Sequence, residues 1–138
     1  MIRRPPRSTQ GVSSAASDVY KRQVHIITGV DNPSRAVLGF AVAKAALEDG
    51  YEVSVFCAGD GVTSLHEITI NEMQGVGLGK LADHLSVLKE GGASLYASKA
   101  SAKARGINTD QLESLGFTPA TPNMLVEICF DADRTIVY

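Results

Sequence analysis

The side chains able to do chemistry gather where apolar runs end. Cys57 closes the run Tyr51–Cys57 and is followed by Ala58-Gly59-Asp60-Gly61. A thiol at such a strand end, close to the start of the next helix, can have a lowered pKa and act as a nucleophile or a persulfide carrier. Val53, Val55 and Cys57 also alternate along one face, the pattern of a core cysteine, so both readings of Cys57 stand. Asp31 and Asp60 lie in loops after the first and second apolar runs, where they either converge on a ligand or make Asx turns and caps. Asn32, Ser34 and Gly61 share those loops, and Ser98 and Ser101 follow a third run, Ala93–Ala97.

Several other chemistries fail on spacing. Ser98-Lys99-Ala100-Ser101-Ala102-Lys103 lacks the S-x-x-K arrangement of a Ser/Lys nucleophile. Gly75-Val76-Gly77-Leu78-Gly79-Lys80 matches neither dinucleotide nor P-loop fingerprints, and Leu81 stands where magnesium needs Ser or Thr. This stretch reads as a flexible loop. His25, His66 and His84 have no i, i+4 partner and no clustered cysteines, so no metal site is expected. No cofactor is expected either. Ser98 can point at a helix N-terminus, and Arg105 is placed for a salt bridge within or between subunits.

The elements that must position these residues follow from periodicity and capping. Val24–Thr28 is a continuous β-branched run, as in a buried parallel strand. Asp31-Asn32-Pro33-Ser34 supplies a turn and a cap for a helix over 35–49, and Gly50 stops it. Strand 51–57, a short helix over 62–67, an aperiodic exposed loop over 69–79 and a helix from Leu81 to Gly91-Gly92 come next. Strand 93–97 leads to helices over 98–105 and 109–115. A Pro-limited edge strand at 117–120, a helix begun by Thr121-Pro122 and ending near Asp131, and strand 134–138 complete the chain. The alternation predicts an α/β fold, a three-layer α/β/α sandwich of flavodoxin-like architecture around a mostly parallel sheet of four to five strands.

The chain has 138 residues, 20% of them charged, and two cysteines without C-x-x-C spacing. That predicts one domain with a sizeable core and no disulfide framework. No apolar run is long enough to span a bilayer, and no apolar leader opens the chain, so a cytoplasmic protein with no membrane partner is expected. Residues 1–23 hold five basic groups and one acid, which leaves residues 24–138 with eight basic and fourteen acidic groups. An acidic domain of this kind carries no nucleic-acid footprint. Residues 1–23 have no hydrophobic period, and MIRRPPRST and SDVYKRQ resemble translated sequencing-adaptor fragments. They are read as a disordered, artefactual tail ahead of a domain over 24–138.

GVDNPSR (29–35), AKAALEDGYEVSVFCAGDG (43–61), LKEGGASLY (88–96), SAKARGI (101–107) and ADRTIVY (132–138) together resemble the DsrE/DsrF-like family, which includes YchN-like and DsrEFH sulfur-relay proteins. The resemblance implies a DsrEFH-like α/β/α fold, a homotrimer or homohexamer, and contact with sulfur-carrier proteins or a small ligand. It also implies, in many members, a persulfide-carrying cysteine just before the segment matched by SAKARGI. Ser98 stands there in this chain. A hydroxyl cannot carry persulfide sulfur, so the resemblance points to a non-catalytic binding module with a pocket among Asp31, Asn32, Ser34, Asp60, Gly61, Ser98 and Ser101. The alternative is a thiol-dependent sulfurtransferase or peroxide-reactive protein using Cys57.

Overall fold

The computed structural model describes residues 20–138. β1 (Lys21–Ile26), α1 (Pro33–Glu48) and β2 (Glu52–Cys57) make the first crossover. A 3₁₀ turn, Gly59–Leu65, then leads through α2 (Glu67–Glu72) to a hairpin of β3 (Gln74–Gly75) and β4 (Gly79–Lys80). α3 (Leu81–Glu90), β5 (Ser94–Ser98), α4 (Lys99–Ala104) and α5 (Thr109–Ser114) follow. β6 (Thr118–Ala120), α6 (Pro122–Asp131) and β7 (Arg134–Val137) close the order. Five strands in the order β6-β5-β2-β1-β7 pair in parallel throughout, with β3 and β4 apart as a small antiparallel sheet.

Local chemistry accounts for the helix starts. The Asn32 side chain accepts from the Arg35 N–H at 3.2 Å while Pro33, lacking an N–H, opens α1. Thr121 and Pro122 repeat the device at α6, and Asn108 with Gln111 forms a reciprocal capping box at α5.

The two faces of the sheet are covered unequally. Val24, Ile26, Val53, Val55, Cys57, Leu95 and Ala97 point to one face. There they form a single core with Val37 and Phe40 of α1, Leu85 and Leu88 of α3, Ala102 of α4 and Leu112 of α5. The steps β1→β2→β5→β6 all run one way across the sheet, so right-handed crossovers stack their helices on that side. Only the return from β6 to β7 crosses the other face, through α6. Gln23, His25, Phe56 and Tyr96 alternate onto that face, where the Cys129 thiol of α6 donates to the Gln23 side-chain oxygen at 3.2 Å. The third layer of the sandwich is therefore one helix. No residue of α6 is fully buried, and Phe130 is 80% exposed.

Two stretches differ from the sequence expectation. The first strand begins at Lys21, so 21–23 belong to the sheet and not to a tail, while residues 1–19 lie outside the described residues. The polar string Lys-Arg-Gln hid this. Lys21 reaches Asp131 at 2.7 Å, the Arg22 guanidinium lies 4.2 Å from the Tyr51 ring centroid, and Gln23 is buried. Residues 69–79 are not one loop. They hold the end of α2 and the β3–β4 hairpin, packed beside α1.

His25 stands edge-on to Phe56, 5.7 Å between ring centroids, and burial lowers its pKa from the usual 6.5. As pH falls below 6.5 the unfolded chain takes up a proton that the folded chain resists. The contribution of a neutral His25 is thus present above pH 6.5 and lost as pH falls toward the lower folded value. Melting temperatures measured from about pH 7.5 to about pH 5.5 will fall more steeply for the wild type than for His25→Gln.

Candidate functional site at the carboxyl edge of the sheet

Ligands of open parallel sheets bind outside the carboxyl ends of the strands. At that edge the loops after β1, β2 and β5 are laced together. The Ala58 N–H donates to the Ile26 carbonyl at 3.1 Å and the Val30 N–H to Thr63 Oγ1 at 2.9 Å. Thr63 Oγ1 in turn donates to the Asp60 carbonyl at 2.6 Å. The Gly59 N–H donates to Ser101 Oγ at 2.9 Å, which ties the β2 loop to α4. Arg105 closes the circuit, with Nε and Nη2 at 3.2 and 3.0 Å from Asp60 Oδ1 and Nη1 at 3.1 Å from the Ser101 carbonyl.

Backbones approach this closely only because Cβ atoms are missing. A Cβ on Gly61 would collide with the Ile26 carbonyl, and one on Gly29 with Thr63 Oγ1 and the Asp60 carbonyl. Gly59, at φ +55°, occupies the left-handed region that glycine enters without strain.

Asp60, Gly61, Ser98 and Ser101 come together here, and each has a structural task. Ser98 Oγ accepts from the Ser101 N–H at 3.2 Å and caps α4. Asp31 sits one loop away, its Oδ1 accepting from the Gly29 N–H at 2.7 Å. Asn32 is spent on capping α1, and Ser34 Oγ accepts from the Val76 N–H at 3.1 Å. The bonds of Asp31, Asn32 and Ser98 are local turns and caps, whereas those of Ser34 and Ser101 tie distant segments together. Thr63 carries two of the contacts above and escaped the sequence reading; its place three residues after Asp60, where a hydroxyl reaches back to a carbonyl, is the signal for it.

Cys57 is fully buried among the core residues, and burial pushes its thiol up to about 12. The thiolate, which is the reactive form, is therefore disfavoured at neutral pH. Cys129 is half-buried on α6, on the other face of the sheet, and both cysteines are free. Among the described residues no group of three His, Cys, Asp or Glu side chains could hold a metal ion. His84 Nε2 instead meets the Leu78 carbonyl at 2.6 Å. Beside the β1–α1 loop runs a groove of about 390 Å³, whose lining includes Val30, Pro33, Ile68, Met73 and Glu72. Among the described residues no helix is long and apolar enough to cross a membrane.

Comparison with known proteins bears on family and fold. A family model described as the DsrE/DsrF-like family matches residues 21–138. Among solved structures, the ychN protein from E. coli superposes with a TM-score of 0.68 at 18% identity, covering 87% of this chain and 99% of that one. A protein of unknown function from Methanobacterium thermoautotrophicum gives 0.64 at 17% identity, over 86% of this chain and 99% of that one. A conserved protein of unknown function from Bacteroides thetaiotaomicron gives 0.64 at 11%, over 92% and 100%. At these identities the likeness is one of fold. Comparison with curated protein sequences finds no match.

The lacing predicts a clear ranking of substitutions. Gly61→Ala will cost about 3 kcal/mol or more in urea denaturation, the upper end of over-packing costs, because the obstacle is backbone. Arg105→Ala removes a half-exposed ion pair and will cost under about 1 kcal/mol.

Proposed function

This chain belongs to the DsrE/DsrF-like family, and we propose that it serves there as a non-catalytic, self-assembling binding module related to the sulfur-relay proteins. Ser98 carries the reading. It occupies the strand end where the family resemblance puts the persulfide cysteine, and its hydroxyl is engaged as the cap of α4. A hydroxyl is not ionised at neutral pH and forms no persulfide. The alternative carrier, Cys57, has neither access nor acidity. A sulfur-carrier protein or a small ligand then meets the chain at the carboxyl edge, with the apolar groove beside Val30 and Pro33 as its seat.

Self-assembly as a homotrimer or homohexamer is supported by the large apolar side chains left outside. Phe130 and Val126 of α6, and Val137 on the face of β7 that α6 covers, are 80%, 53% and 50% exposed. Exposed apolar surface of this kind marks interfaces. The protein works in the cytoplasm, where its two unpaired cysteines stay reduced.

Thiol chemistry tests the reading. Under native conditions the wild type will take up neither iodoacetamide below pH 7 nor sulfane sulfur from a polysulfide donor at Cys57. Ser98→Cys will label much faster and will hold sulfane sulfur. Rapid labelling of the wild type below pH 7, abolished by Cys57→Ser, would restore the thiol enzyme and sink the module.

A further inference from the structure

The face of the sheet that α6 covers is not a finished core. Gln23 is fully buried there, yet only half of its carboxamide is paired. Oε1 accepts from the Cys129 thiol at 3.2 Å, while Nε2, bonded to the same carbon, has no partner. His25, on the same face of β1, likewise carries a buried Nε2 without a partner. Buried polar groups are as a rule hydrogen-bonded, so the unpaired amide N–H beside the sulfur calls for an acceptor.

Cys129 is where an acceptor can be made. A thiol has one hydrogen to give and a weakly accepting sulfur, so it satisfies the amide oxygen and leaves the amide N–H wanting. One oxygen atom added to the sulfur supplies the strong acceptor that Nε2 lacks. Cys129 is half-buried, within reach of a small oxidant, whereas Cys57 is fully buried in the core on the opposite face of the sheet. With the sheet between the two sulfurs, no second thiol of the same chain can resolve an oxidised Cys129 into a disulfide.

We propose that Cys129 is a reversible oxidation site, at which a peroxide converts the thiol to a sulfenic acid held by the Gln23 amide. A sulfur lone pair attacks one peroxide oxygen. The S–O bond forms as the O–O bond breaks, the sulfur losing the two electrons that the peroxide gains. The thiol proton goes to the departing oxygen, which leaves as water or an alcohol. The oxygen left on sulfur accepts from Gln23 Nε2. Small-molecule thiols reverse the step: the first displaces water to form a mixed disulfide, and the second releases Cys129. In a reducing compartment the resting state is the thiol. The site lies apart from Ser98 and the carboxyl edge, so it stands or falls independently of the binding-module reading. Its readout is built in, because α6, which carries the sulfur, is the helix that supplies this whole layer.

The test treats the full chain with hydrogen peroxide, removes the peroxide, and adds dimedone at intervals to trap the sulfenic acid that survives. Peptide mapping will place one adduct at Cys129 and none at Cys57, and Cys129→Ser will take none. Gln23→Met, close in shape but without the amide, will shorten the lifetime of the sulfenic acid by about fivefold or more, the worth of one hydrogen bond. Its Cys129 will react with iodoacetamide within about twofold of the wild-type rate, which separates the amide's hold on the product from access to the sulfur. The freshly oxidised wild type will melt no lower than the reduced protein, because the added oxygen pairs a donor that was unpaired. That melt needs no variant, so it decides even where Gln23→Met fails to fold. No adduct at Cys129, an adduct at Cys57, a Gln23→Met lifetime equal to that of the wild type, or an oxidised protein that melts several degrees lower overturns the proposal.

Discussion

A parallel sheet tolerates little bare surface, because both of its faces are apolar and crossover connections must cover them. In this chain the covering is lopsided, and much of the structure follows. Four strands laid down in one direction put α1 to α5 on a single face, where one core takes up Phe40, Leu88, Leu112 and their neighbours. The opposite face has α6 alone. Its residues are correspondingly mixed, with Gln23 and Ser54 beside the ring series His25, Phe56 and Tyr96, the last two stacked at 6.2 Å. The solvent-facing apolar side chains of α6, with Val137 on the same face of β7, are what remains when one ten-residue helix stands in for a layer.

The carboxyl edge shows how the same atoms serve structure and chemistry in competition. A serine hydroxyl that caps a helix is fixed by the N–H it receives, and Ser101 is held likewise by Gly59. Asp60 is oriented by Arg105 and gives its own carbonyl to Thr63. What the edge keeps is shape: loops drawn together where Gly29 and Gly61 permit contact, and a groove beside them. The chain's nearest thiol to this edge points the other way, into the core, because Cys57 shares the parity of Val53 and Val55.

That parity was legible in the sequence, and so were most of the elements. β-Branched runs without polar interruption gave the central strands, and Asn32-Pro33 and Thr121-Pro122 announced their helices. Polar residues misled where neighbours override composition. Lys21, Arg22 and Gln23 form a strand because β2 and β7 flank them on both sides, and no local signal reports that. The β3–β4 hairpin was hidden for another reason, since strands of two residues are too short to show a period. At the carboxyl edge, the sequence put Asp31 and Asp60 in the loops after the first two strands. It left open whether they converge on a ligand or make turns and caps, because the same side-chain oxygens suit both.

The pairing of β1 with β7 has a consequence for how the protein is made. β2 reaches β1 after one helix, but the strand on β1's other side is separated from it by more than a hundred residues, Arg22 pairing with Arg134. During synthesis the pairing of β1 with β7 therefore waits until β7 has left the ribosome. The same topology sets the order of loosening in the finished protein. α6 and β7, with few buried side chains between them, form the segment most readily released, and amide exchange along β1 records each release.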